Sequence, residues 1–407
     1  MAHKSILIFG AGKIGRSFIG QLFGRSGYEV IFSDIDPSLI AELNRRGSYP
    51  VVIKGEKEET LHVPNVRAIS GNDREQVTQA VSQASVMAVS VGKNVLKKII
   101  PLIAEGLVKR YRDHPEQTLN IIIAENMRSA AAFLHQELSA CLPDSYPLDR
   151  LVGPVETSIG KMVPIMTRED LEKDPLMVFA EPYNQLIVDK QGFKGEIPDV
   201  NGLSPKDNIQ AWVDRKAFIH NLGHAAVAYY GASRHPEAVY VYEALEDPDV
   251  FRFARSVMLQ SAAVLQAVYP NDFTMSDLEA HIDDLLYRFR NKALKDTIFR
   301  VGQDRPRKLG PDDRFMGVIR LARNRAMACD RILEAMTYAF LFKATGEDGN
   351  RAEPDLLFDQ YLASGIEYTL EKVCGLDPVK DRELMEIIQK FNDSTTNYGK
   401  TPAPRNS

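Results

Sequence analysis

An apolar strand running straight into a glycine-rich turn, a second strand ending in an acid, and a change from strands to helices after residue 208 organise this chain. Together they predict an α/β Rossmann-type N-terminal domain followed by an all-α C-terminal domain. Ser5-Ile-Leu-Ile-Phe9 is the kind of short apolar run that a buried parallel strand shows. Gly10-Ala11-Gly12-Lys13-Ile14-Gly15 follows at once and matches the G-x-G-x-x-G fingerprint in its proper setting. Gly10 allows the tight turn, Gly12 lets backbone approach a pyrophosphate, and Gly15 lets the helix Arg16–Gly24 pack on the strand. The next strand, Glu29–Ser33, ends at Asp34, placed to bond a ribose 2′-hydroxyl, and no arginine follows directly, which favours NAD over NADP.

Ile35–Gly47 reads as a second helix, Tyr49–Val66 as a hairpin insertion, and Gly71–Ala84 as a polar helix. Ser85–Val91 is a further buried strand with Gly92-Lys93-Asn94 at its carboxyl end, where ligands of open α/β sheets bind. A helix over Val95–Arg110 leads to the strand Leu119–Ala124, which stops at Glu125-Asn126-Met127. Asn126 is therefore a candidate oxyanion donor and also a candidate N-cap for a helix over Arg128–Leu142. Two or three strands follow within Leu151–Pro164 and Leu176–Asp189, and the turn-rich Gly192–Gly195 marks a boundary. The expected domains are 1–195 for the nucleotide, 196–391 for substrate and catalysis, and a disordered tail over 392–407. Expected helices in the second domain are Asn208–Tyr230, Val239–Tyr269, Ser276–Arg290, Phe315–Ala344, Asp355–Gly375 and Asp381–Phe391. The active site is expected in the cleft between the domains.

Composition narrows the partners. A net charge of −5 and a pI near 6.0 argue against nucleic acid or an anionic membrane surface. No apolar run approaches the roughly 18 residues of a membrane span, and no signal-peptide layout precedes the first strand. Cys141, Cys329 and Cys374 are scattered and odd in number, so neither a disulfide framework nor a zinc cluster is expected, and the reading is a reduced cytoplasmic protein.

The chemistry is expected in Arg215–His224, inside a helix capped by Asn208 and closed by Gly231. At about 100° per residue from Lys216, His224 falls near 80° and Asn221 near 140°, while Leu222, Phe218, Ala226 and Ile219 cluster between about 200° and 300°. One face is then apolar, and another presents an amine, an amide and an imidazole. Oxidation of a secondary alcohol needs such a set: Lys216 as base once burial lowers its pKa, Asn221 as a donor to the developing alkoxide, and His224 to hold a hydroxyl or tune the lysine. The bland reading is a solvated polar face. His220 and His224 have zinc-ligand spacing, but position 221 is asparagine rather than the glutamate of H-E-x-x-H and no third ligand is evident, so no metal is expected. Farther on, Arg300, Arg305, Arg307 and Lys308 form a basic segment. Charge pattern alone leaves two readings open, a phosphate cradle or a solvated loop pairing with Asp312 and Asp313.

From about Ile6 to the 380s the chain resembles the polyol-specific long-chain dehydrogenases. The resemblance is carried by Phe9–Gly20, Gly106–Arg110, Glu125-Asn126-Met127, Ile187–Lys190 with Phe193-Lys194-Gly195, Lys216…Asn221…His224, and Arg300-Val301-Gly302 with Arg307-Lys308-Leu309. It implies a zinc-independent, monomeric enzyme of the branch acting on phosphorylated hexitols, interconverting D-mannitol 1-phosphate and D-fructose 6-phosphate with NAD. Lys216 is then the general acid/base, Asn126 and Asn221 the oxyanion donors, His224 the orienting residue, and Lys194, Arg300, Arg307 and Lys308 the substrate contacts. The sequence departs from the family at Gly160-Lys161-Met162, where Asp-Arg-Ile is usual, and at Gln185-Leu186, where tryptophan is common. Glu156 and Lys161 are the candidates to replace the missing aspartate. The competing functions are a reductase of an unphosphorylated ketose or hexuronate, and a non-catalytic NAD(H) sensor, which would need only the glycines and Asp34.

Overall fold

Strand β1 (Ser5–Phe9) is buried along its whole length, as its unbroken apolar sequence requires. The computed structural model describes residues 4–398. The strands that follow are β2 (Glu29–Asp34), β3 (Ser48–Lys54), β4 (Glu58–Pro64), β5 (Val66–Ser70) and β6 (Val86–Val89). After them come β7 (Leu119–Ile123), β8 (Val152–Ser158), β9 (Val178–Ala180), β10 (Leu186–Asp189) and β11 (Leu203–Lys206). Among the described residues they form an eight-stranded sheet in the order β11-β10-β8-β7-β6-β1-β2-β5 and a three-stranded sheet, β4-β3-β9. From β5 to β8 all pairings are parallel; β10 joins β8 antiparallel, and β11 runs parallel to β10. The order reverses at β1, between β2 and β6, which is where the glycine turn leaves the sheet.

Side chains alternate across β1. Ile6 and Ile8 pack with Phe18, Phe23 and Phe32 on one face, and Leu7 and Phe9 with Met87, Leu96 and Ile103 on the other. Each such side chain, fully buried, contributes about 1.5–3 kcal/mol, so covering both faces with helices is what stabilises a sheet this apolar. The helix Pro37–Arg46 starts where Asp36 accepts from Ser38 N and Leu39 N. Arg110, buried near the end of the helix Lys93–Asp113, donates to the carbonyls of Ser82, Ala84 and Thr118, which accounts for its motif structurally.

The chain divides into two compact units, Met1–Val213 and Asp214–Ser407. The division therefore falls later than the expected 195. Leu203–Lys206 extends the sheet as β11, and Ser158 Oγ donates to Trp212 O, so both segments are held by the first unit.

The second unit is helical, as expected, but several long helices are broken. Asp247 caps a new helix at Pro248, so Val239–Tyr269 becomes Val241–Ala244 and Pro248–Val268. Ala326 at φ +53° separates Met316–Arg323 from Asp330–Leu341, and Gly365 at φ +120° separates Glu353–Ala363 from Ile366–Lys372. Conversely, the helix expected to close at Gly231 runs on to Arg234: Gly231 does not take the positive φ of a helix-ending glycine and instead packs closely on Ala244, where an added Cβ would stand 2.7 Å from the alanine's. The tail expected to be disordered from 392 continues the helix Arg382–Tyr398. Thr395 is buried there, its Oγ1 2.8 Å from that of Thr337. Residues 399–407 lie outside the described residues.

Candidate active site

The glycine turn is dictated by space. Gly10 has φ +94°, donates to Ser33 O at 2.9 Å, and a Cβ there would sit 2.5 Å from Ser90 O. A Cβ on Gly15 would sit 2.0 Å from Gly10 O, so only glycine lets this helix start so close to the strand. Above Gly12 nothing lies within 4 Å of such a Cβ, and Gly12 and Lys13 are exposed, leaving the room that a pyrophosphate needs. Asp34 closes the turn: its carboxylate accepts from Ala11 N and Ile35 N, both at 2.7 Å, and from Asp36 N at 3.1 Å. Gly10, Ala11, Gly12, Lys13, Ile14, Gly15 and Asp34 are thus one constellation at the carboxyl ends of β1 and β2, and it fits a dinucleotide. Arg16, which sequence reading passed over, is buried beneath it and donates to Ala11 O and Leu176 O, both at 2.7 Å.

Gly92 stands at the carboxyl end of β6 with φ +85° and precedes the helix Lys93–Asp113. Val91 N and Gly92 N donate to Glu125 Oε1 at 2.7 and 2.8 Å, tying the end of β6 to the end of β7. Burial raises the pKa of Glu125, and those two N–H groups oppose the rise. Asn126, the next residue, is exposed. It does not cap the following helix, which begins at Ala130 with Ser129 in the cap position.

In the second unit Lys216–Asn221 is a π turn between the helices Ile209–Arg215 and Leu222–Arg234. The wider i→i+5 turn brings positions 216 and 221 closer to one face than the about 140° of a regular α-helix. Two carbonyls of the turn are satisfied by side chains from elsewhere: Ser261 Oγ donates to Phe218 O at 2.5 Å, and Arg314 Nη1 to Asn221 O at 3.3 Å. Lys216 is only partly accessible, and burial, then the charges of Arg314 and Arg307, push its pKa down to about 8 against the pull of Asp313. Its amine can therefore exchange a proton near neutrality. His224 stacks on Phe289 with ring centroids 4.4 Å apart, and its Nε2 lies 3.3 Å from Asp296 Oδ2. Burial lowers the His224 pKa although Asp296 opposes it. His220 is buried and held well below its ordinary pKa by burial and by Arg288. Among the described residues, no three His, Cys, Asp or Glu side chains converge as metal ligands would.

The basic segment is helical rather than a loop, over Ile298–Gly302 and Arg305–Lys308. Arg300 pairs with Asp296. Arg305 is fully buried on Asp355 and Asp359 and is a staple. Lys308 is buried and donates to the carbonyls of Val301 and Gln303, and burial together with Arg314 and Arg307 pushes its pKa down to about 7. Arg307, half exposed, pairs with Asp304 and lies 3.6 Å from Asp313. Arg300, Arg307 and Lys308 thus share the second unit with Lys216, Asn221 and His224. Lys194 is placed elsewhere. Its backbone N donates to Asn120 Oδ1 near the amino end of β7, at the opposite end of that strand from Asn126. Lys161, a candidate replacement for the family's aspartate, is buried and donates to Tyr183 O and Asn184 Oδ1, while Glu156 accepts from Ala131 N. Asp296, Ser261 and Arg314 were missed in the sequence; only Asp296, four residues before Arg300, left a signal there.

A family model described as mannitol dehydrogenase Rossmann domain matches residues 4–202, and one described as mannitol dehydrogenase C-terminal domain matches residues 208–369. The chain is 34% identical over 389 residues to a mannitol-1-phosphate 5-dehydrogenase of Bacillus subtilis (strain 168), covering 95% of this chain and 99% of that one. It is 30% identical over 396 residues to the protein of that name in Lactococcus lactis subsp. cremoris (strain SK11), covering 96% and 100%. Among solved structures, D-sorbitol dehydrogenase in substrate-free form superposes with a TM-score of 0.79 at 16% identity, covering 98% of this chain and 94% of that one. Mannitol 2-dehydrogenase of Pseudomonas fluorescens, in ternary complex with NAD and D-mannitol, gives 0.75 at 15%, covering 98% and 92%. At these identities the two structures speak to the fold.

Proposed function

The chain belongs to the mannitol dehydrogenase family, a family of NAD-dependent oxidoreductases, and on that premise we propose that it interconverts D-mannitol 1-phosphate and D-fructose 6-phosphate. The observation that carries the reading is an amine with a pKa of about 8 at the head of a π turn whose other end is Asn221. NAD held over Gly10–Gly15 beside Asp34 would supply the hydride acceptor for the alcohol carbon, and NADH the hydride donor in reverse. The residues of the chain manage the proton and the oxygen. Neutral Lys216 takes the hydroxyl proton during oxidation; as ammonium it protonates the oxygen during reduction. Asn221, and Asn126 at the carboxyl end of β7, are assigned the donors to the developing oxyanion. His224 orients substrate, Arg300, Arg307 and Lys308 receive the phosphate, and the enzyme acts as a monomer without metal.

The test is NADH consumption by the full chain against D-fructose 6-phosphate, D-fructose and a hexuronate. A kcat/KM for the phosphorylated ketose at least about 10²-fold above the others is expected; equal or better use of D-fructose would overturn the substrate assignment. One observation favours that second reading: Arg300 and Arg307 already face carboxylates, and Lys308 already faces two carbonyls. Lys216→Ala is expected to lower turnover at least about 10²-fold with NADH affinity kept, and wild-type turnover would remove Lys216 from its role. Activity is expected to survive EDTA; loss restored by zinc would contradict the metal-free reading.

A further inference from the structure

His224 is constrained on a face and on an edge. The stack on Phe289, with planes 8° from parallel, fixes the plane of the imidazole. Its Nε2 edge lies 3.3 Å from Asp296 Oδ2. The nitrogen is buried and, among the described residues, has no aligned hydrogen-bond partner, so Asp296 is the acceptor it faces. Asp296 is itself held. Its backbone O accepts from Val241 N at 2.9 Å, and its other oxygen, Oδ1, accepts from Arg300 Nε at 2.5 Å and also from Arg300 Nη2. One buried carboxylate therefore gives one oxygen to His224 and the other to Arg300, the two residues assigned above to substrate.

We infer that Asp296 is a positioning residue, which locks His224 in the Nε2–H tautomer and aims Arg300, so that both meet the substrate in one fixed arrangement. The chemistry follows from donor counts. A neutral imidazole carries one donor and one acceptor nitrogen, and an ionised carboxylate only accepts. Facing Asp296, Nε2 must hold the proton, which leaves Nδ1 to accept from a substrate hydroxyl. Burial keeps the ring neutral, and Arg300 and Lys308 further disfavour the imidazolium. An asparagine at 296 can offer an N–H to Nε2 and so favours the opposite tautomer, as an amide does beside other catalytic imidazoles. The role in substrate orientation rests on the function proposed above; the tautomer does not.

Two measurements on the full-length protein separate these. Nitrogen-15 NMR of histidine-labelled protein at neutral pH reads the tautomer without substrate. His224 is expected as Nε2–H in wild type and displaced toward Nδ1–H in Asp296→Asn. An Nδ1–H tautomer in wild type, or no change in a folded Asp296→Asn, overturns the inference; if that variant fails to fold, the wild-type tautomer still decides. In kinetics, Asp296→Asn is expected to raise KM for D-fructose 6-phosphate at least about 10-fold, with KM for NADH within about 2-fold. Added to His224→Gln it is expected to cost clearly less than in wild type, the remainder being the part that acts through Arg300. Effects that simply multiply would mean Asp296 does not act through His224. If wild type turns over no ketose phosphate, the substrate reading falls, and the NMR result still judges Asp296.

Discussion

Each unit contains a π turn beside its candidate site residues, Gly15–Gly20 under the glycine turn and Lys216–Asn221 in the helical unit. Both have a carbonyl capped by a distant hydroxyl: Tyr49 OH donates to Arg16 O at 2.8 Å, and Ser261 Oγ to Phe218 O at 2.5 Å. They differ in what fixes them. The first is set by missing atoms, because a Cβ at Gly15 would strike Gly10 O and one at Gly20 would stand 2.5 Å from Tyr49 OH. The second contains no glycine and is set by groups supplied from elsewhere, Ser261 and Arg314. Steric rules write the first turn into local sequence, whereas the second depends on tertiary contacts.

That contrast can be broken at either end. Gly15→Ala is expected to have the largest effect, a loss of NADH affinity of about 10²-fold or more, since backbone cannot move aside as a flexible side chain can. Calorimetric titration with NADH checks it, and unchanged affinity would show that the turn is not sterically set. Ser261→Ala should be milder, lowering kcat by about 10-fold with NADH affinity kept, because one buried carbonyl loses its donor. A loss of NADH binding instead would mean that the serine supports the fold as a whole rather than the π turn.

The smallest effect is on stability and concerns Lys216 itself. Its pKa in the folded state, about 8, lies below the ordinary 10.5, so the unfolded chain binds more protons between those values. Stability then rises with pH across that window, and below pH 8 the cost of burying the ammonium is fully present. Lys216→Met removes that cost. The variant is expected to be more stable than wild type by roughly 1–2 kcal/mol at pH 7, discounted for partial exposure, with the gain fading as pH nears 10.5. Denaturant melts at the two pH values measure it, and a variant less stable at pH 7 would indicate that the contacts of the amine outweigh the cost of burying its charge.

The sequence was most informative where backbone sterics or hydrophobic alternation decide. Strands β1, β2, β6 and β7, the hairpin of β3 and β4, the glycine turn with Asp34 and the helical character of the second unit were legible, whereas β5 (Val66–Ser70) was not. The π turn was not, because nothing in Lys-Ala-Phe-Ile-His-Asn distinguishes it from an α-helix until Ser261 and Arg314 pack against it. Helix breaks at Ala326 and Gly365 were hidden inside runs of acceptable helix formers. In the basic segment Arg305 was the residue that misled: its charge suggested a solvated loop or a cradle, yet it is buried on acids about fifty residues away, a pairing that spacing does not display. Lys194 belongs to a motif whose backbone is held by Asn120 near the amino end of β7, a placement that the motif alone does not display.

Lys216 is the proposed proton carrier, and the pH dependence of kcat/KM tests this most directly. For D-mannitol 1-phosphate oxidation the profile should rise with pH and level off above about 8, and for D-fructose 6-phosphate reduction it should fall above about 8. In Lys216→Ala both limbs should disappear along with most of the rate. Persistence of the same limb near pH 8 in that variant would assign the proton to another group and contradict the mechanism.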